Sequence, residues 1–170
     1  MAASWVSRGF YFWTKKHKND VRCQFSNFVN HGKCVNINSL YLHCDSTLSN
    51  FSSLSVTDIL NITVDGLIIN HPGASLESTN GSLTIKTTAD VLNNGQLISN
   101  DVNHIWASVI SNTGVIESYQ STVEIYWSTS EKTSINGIVK SPSEIHFSSP
   151  FSKEFHFAVV VVSQANLTGL

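Results

Sequence analysis

Charge is what this sequence lacks most. Asp, Glu, Lys and Arg make up 13% of its 170 residues, the net charge is −2, and 10 basic residues spread along the chain leave no electrostatic footprint for nucleic acid. Helix formers are scarce too: there is one Met, and Ala, Glu and Lys are thinly scattered. Three Pro and nine Gly are too few for a collagen-like or disordered chain. The longest apolar run, Phe157 to Val162, is far too short for a transmembrane segment. The start does not read as a secretory signal, because Arg8 interrupts its apolar part and the basic run Lys15-Lys16-His17-Lys18 follows it. Either the protein stays inside the cell or the chain lacks its natural beginning.

Cysteine is sparse as well. Cys23, Cys34 and Cys44 lie ten or eleven apart, with no pair at zinc-knuckle spacing. An odd number leaves one unpaired within the chain. Cys23 and Cys44, 21 apart, are either stacked partners in a disulfide or, the favoured reading, buried thiols that behave as small apolar residues. Seven His are scattered along the chain, and His146 and His156 fall half a period apart, on different faces, so the sequence assembles no metal site. It offers no Gly-rich phosphate loop, no nucleophile elbow and no cofactor motif.

What is present is repetition. Ile85, Ile105, Ile125 and Ile145 recur every 20 residues, each in a short strand-like segment. Between them runs a looser unit in which Asn precedes Gly and an apolar strand ends in Ser: Leu92 to Ser99, Ile110 to Ser118, Ile135 to Ser141. Each period is thus expected to hold two strands and two turns, with Asn-Gly supplying positive-φ corners. A fixed period near 20 is the mark of a solenoid whose coils bury their apolar side chains only by stacking. Alternation points the four Ile inward with Thr87, Ala107, Trp127 and Phe147, and points their neighbours out.

The fold read from these features is an all-β, parallel β-helix of about 20 residues per coil. Leu42 to Ile62 is again 20, whereas Ile62 to Ile85 is 23, and His71-Pro72-Gly73 is the expected place for the excess. Extended back to Val21, the pattern gives roughly six coils, about 30 Å at a strand spacing of about 4.8 Å. Three segments follow: an aromatic and basic segment at 1–20 (Trp5, Phe10, Tyr11, Phe12, Trp13, then the basic run), a solenoid at 21–150, and a last apolar coil at 151–170. The first segment suits a cap over the open first coil better than a membrane-surface anchor, since a bare β edge needs cover. The last has no polar cap, so the chain is expected to be a piece of a longer repeat protein or to stack end to end with another chain. Sequons at Asn50, Asn61, Asn80 and Asn166 are what an Asn-, Ser- and Thr-rich composition produces.

Leu92 to Ser99, Ile110 to Ser118 and Gly81 to Thr88 resemble the repeats of filamentous haemagglutinin-like adhesins, the large exoproteins of bacterial two-partner secretion. The resemblance covers roughly residues 60 to 150. It implies a right-handed β-helical shaft, secreted or held at the bacterial cell surface, that carries adhesive regions.

The outward face holds the candidate site. On a strict 20-residue period Trp106, Tyr126 and His146 occupy one outward position in successive coils, with His104, Glu124 and Glu144 beside them. A row of aromatic faces suits sugars, which makes a host or cell-surface glycan, or a protein, the expected partner. Outward rows of like side chains also simply pack on one another, stabilising by about 0.2–1 kcal/mol per pair. The same period sets Glu124 and Glu144 about 5 Å apart at Cβ, near the carboxyl separation of retaining glycosidases. One alternative function is therefore a polysaccharide-active β-helix enzyme, a glycosidase or lyase; another reading is a non-functional fragment of a larger repeat protein. The regular ladder and short corners disfavour the enzyme, and the first reading is a structural, adhesive segment without catalytic residues.

Overall fold

The structure, a computed structural model, describes residues 11–13, 20–129, 133–150, 160–161 and 166–168. Among these there is no helix, and the chain winds as a parallel β-solenoid of about six turns with roughly 20 residues per turn. Each coil carries three strand segments rather than the expected two. The first face is built by Leu83–Thr87, Asn103–Ala107, Val123–Trp127 and Glu144–Ser148; the second by Ile68–Asn70, Asp90–Asn93, Val109–Asn112 and Ser134–Ile135; the third by Ser75–Ser78, Gln96–Ser99, Val115–Ser118 and Ile138–Lys140. Earlier in the chain the strands run through the corners, so that Asp20–Asn30, Cys34–Asn50 and Ser53–Val64 each serve more than one face.

The core is a dry column fed by every second residue. Ile85 opposes Ile105, and Ile105 opposes Ile125, in parallel register. Leu48, Ile68, Val91 and Ile110 line the second face, and Leu54, Leu76, Leu97 and Ile116 the third, all essentially inaccessible to water. Each such side chain contributes about 1.5–3 kcal/mol by leaving water. Thr87, Ala107, Trp127 and Phe147 are buried as the alternation requires.

The column also carries a row of amides. Asn30, Asn50, Asn70, Asn93 and Asn112 close the second face from inside, and all are buried. The side-chain Nδ2 of each of the first four donates to the Oδ1 of the Asn on the next coil, at 2.8, 2.9, 2.8 and 2.7 Å. The second Nδ2 hydrogen of Asn50, Asn70 and Asn93 is taken by the carbonyls of Ser75, Gln96 and Val115. A buried polar group left unpaired is costly, so this ladder fixes which residue stands over which. It ends where Asn112 is followed in register by Ile135. At the third face's end Ser78, Ser99, Ser118 and Ser141 are buried and donate to corner carbonyls. The sequon at Asn50 is thus sealed inside the core.

One expectation about the corners changes and another holds. Among the described glycines only Gly73, at φ 78°, is left-handed. Gly95, Gly114 and Gly137 are needed for a different reason: a Cβ on Gly114 would lie 2.0 Å from the carbonyl oxygen of Gly95, and one on Gly137 2.2 Å from that of Gly114. The corner backbones stack too closely for any side chain. The 23-residue coil opens largely where expected, since the offset grows from 20 at Asn50 and Asn70 to 22 at Ser53 and Ser75, across the His71 to Ala74 corner, and reaches 23 at Leu60 and Leu83.

The fourth isoleucine does not stack on the third. Val123 opposes Ile145, and Ile125 opposes Phe147. The offset between coils rises from 20 at Val123 to 23 at Ser134 and settles at 22 by Ile145. A shift of two preserves strand parity, so Ile145 still points inward and is wholly buried.

Tyr11–Trp13 pairs antiparallel with Arg22–Gln24 at the first edge. Val160–Val161 and Asn166–Thr168 continue the parallel ladder on Ile138 and Val139 and on Glu144 to His146. Apart from Asp20, the rest of the 1–20 and 151–170 segments lies outside the described residues. All three cysteines are free. Cys44 opposes Phe25, and Cys23 opposes Leu42. Burial, helped by the charge of Asp45 and by Cys23, pushes the Cys44 thiol up to about 12.

Candidate functional site: the outward side of the first face

On the first face the side chains of opposite parity to the isoleucines form two rows. One runs Lys86, Trp106, Tyr126, Ser148; the other runs Thr84, His104, Glu124, His146. The register shift after Trp127 breaks the expected Trp106, Tyr126, His146 row: Ser148 follows Tyr126, and His146 stands opposite Glu124. The aromatic ladder is therefore two rings long.

Those two rings make a small built surface. Trp106 is 40% exposed, the Tyr126 ring meets it edge-on at 5.8 Å between centroids, and the His104 imidazole stacks beside it at 5.0 Å. Lys86 Nζ lies 5.6 Å from the Trp106 ring centre, within reach of a cation–π contact. His104 Nε2 lies 2.8 Å from Glu124 Oε2, which fixes the imidazole plane against the indole. The surface thus combines an apolar ring, a cation and a hydrogen-bonding pair on strands whose other sides are anchored in the core.

The carboxylate pair is not where a 20-residue period puts it. Glu144 opposes Asn166, and since His146 opposes Glu124, Glu144 stands diagonally from Glu124, at about 8 Å by strand geometry. Each carboxylate is taken by an imidazole, Glu144 by His146 Nε2 at 2.8 Å. The separation that suggested a retaining glycosidase is gone.

Three further features were not read from the sequence, although the period carries them. Asn30, Asn50 and Asn70 are 20 apart; so are His31, Phe51 and His71, whose rings stack at 4.7 and 3.7 Å at the corner beyond the amide ladder. Asp45 and Asp65 are also 20 apart, and His43 lies 3.3 Å from the first and 3.8 Å from the second. Aligning every residue type on the period, rather than the isoleucines alone, would have found all three.

The fold defines the chain as a parallel β-solenoid. No protein-family model matches it, and neither a curated protein nor a solved structure does.

Proposed function

We propose that this chain is a structural and adhesive solenoid that binds a host or cell-surface glycan through Trp106 and Tyr126, with Lys86, His104 and Glu124 taking hydroxyl or carboxylate groups of the sugar. The observation that carries the reading is a 40% exposed Trp beside a second ring on a face that is otherwise short and polar. Exposed aromatic surface with polar neighbours is typical of recognition sites, and a rigid strand scaffold holds it without an ordering cost on binding. The structural half of the role rests on the stacked coils themselves. Placement on a bacterial surface, or in its secreted exoproteins, follows from the resemblance of residues 60 to 150 to filamentous haemagglutinin-like repeats. End-to-end self-association belongs to the same proposal, because a parallel ladder offers strand edges along its axis.

The test is a glycan array probed with the wild-type chain and with the Trp106→Ser, Tyr126→Ser double variant. A bound glycan lost at least tenfold by a variant with an unchanged circular dichroism spectrum supports the site. Equal binding by both proteins moves adhesion elsewhere on the molecule.

A further inference from the structure

We propose that His43, Asp45 and Asp65 form a site for one divalent transition-metal ion of the Zn2+ class. The site is independent of the glycan reading and lies on earlier coils of the same solenoid.

The strands bring the three donors together. His43 and Asp45 are two apart on Cys34–Asn50, and Asp65 follows Val64, which opposes Cys44, so the two carboxylates stand on adjacent rungs. His43 Nε2 lies 3.3 Å from Asp45 Oδ1 and 3.8 Å from Asp65 Oδ2, and the three donor atoms all fall within 4.8 Å of one another. Metal–ligand bonds of about 2.0–2.2 Å place neighbouring donors roughly 3 to 3.6 Å apart in tetrahedral or octahedral geometry. Small side-chain rotations bring the set to that spacing. Between the donors Cys44 and Val64 point into the core and are buried, so the backbone under the site is held.

Charge and ligand type point the same way. A ligating imidazole is neutral, which leaves two negative charges on adjacent rungs, and like charges so placed destabilise a sheet. His43 is the only ion-pair partner of either carboxylate among the described residues. A dication cancels both charges where a protonated His43 cancels one. Gln24, from the preceding coil, donates its Nε2 to Asp45 Oδ1 at 3.1 Å and so helps orient that carboxylate, the usual office of a group behind a ligand. One imidazole and two carboxylates suit Zn2+, Co2+, Ni2+ or Mn2+, and the absence of a sulfur donor from the set argues against Cu+. His43, Asp45 and Asp65 are 38%, 51% and 59% exposed, so water completes the coordination and the ion is exchangeable.

The experiment is calorimetric titration of the whole chain with Zn2+, repeated with His43→Gln, Asp65→Asn, Cys23→Ser and His31→Gln. Visible absorption of the Co2+ form reports coordination number and any thiolate ligand. Saturation at one Zn2+ per chain is expected, weakened at least tenfold by His43→Gln and by Asp65→Asn and unchanged by the other two. Zn2+ also raises the melting midpoint of the wild type but not that of Asp65→Asn. Absence of saturable binding overturns the proposal, as does binding that survives both ligand substitutions, or binding that Cys23→Ser abolishes or that shows thiolate absorption. Should His43→Gln not fold, Asp65→Asn, at a more exposed position, decides alone.

Discussion

The inner and outer sides of the first face respond differently to the same event. Where the coil offset changes from 20 to 22 after Trp127, the inner column goes from Ile on Ile to Phe147 on Ile125 and Ile145 on Val123, and stays dry. On the outer side the same shift replaces His146 by Ser148 above Tyr126 and sets an imidazole above a carboxylate. An even shift keeps parity, and parity is all the core requires. An outward constellation needs the identity of each neighbour, so the same shift dismantles it. Stability in this molecule is therefore tolerant of register, and surface chemistry is not.

Substitutions can break or sharpen that contrast. The largest effect belongs to the column: Ile105→Ala, between Ile85 and Ile125, is expected to cost about 2–5 kcal/mol, read as a lower urea midpoint. If it costs no more than an outer substitution, the column is not what holds the coils. Next comes Asn70→Ala, which strips partners from Asn50 on one side and from Asn93 and the Gln96 carbonyl on the other. A loss of about 1–3 kcal/mol is expected, with faster amide exchange at the second face; a neutral result would show that the ladder is incidental to register.

Cys44 probes the column by pH. Its thiol is held at about 12 in the fold against an ordinary 9.0, so the unfolded chain gives up the proton first. Its contribution to stability is complete below about pH 9 and is lost as pH rises toward 12, with a slope of at most about 1.4 kcal/mol per pH unit. Urea melts from pH 8 to 10.5 should show this fall, and Cys44→Ala should flatten it; identical slopes would mean that the thiol titrates freely. The smallest effect lies outside. Trp106→Ser is expected to change stability by less than about 1 kcal/mol while weakening the proposed glycan binding. Cooperative loss of structure in that variant would turn the ring pair into a packing element.

The same contrast explains what the sequence revealed. Parallel stacking, inward isoleucines, the buried partners from Thr87 to Phe147 and most of the His71 to Ala74 expansion were legible, because hydrophobic alternation and period survive small insertions. The extra strand of each coil, Asp90–Asn93 and Val109–Asn112, was hidden because the residues leading up to Gly95 and Gly114 read as part of the turn; those glycines also mark backbones stacked too closely for a Cβ. Pairings in the last coils were not legible: 20-residue spacing between Ile125 and Ile145 is a coincidence of sequence, since the register changes between Trp127 and Ser134. The amide ladder was in plain view at Asn30, Asn50 and Asn70, but polar residues in a turn-rich chain read as surface until burial shows otherwise.

Nuclear Overhauser contacts between neighbouring rungs test the register directly. The account predicts that Ile105 sees both Ile85 and Ile125, that Phe147 sees Ile125, and that the backbone of His146 lies against Glu124. Backbone contacts from His146 to Tyr126, or the close Hα–Hα pairs of antiparallel strands between these segments, would contradict it.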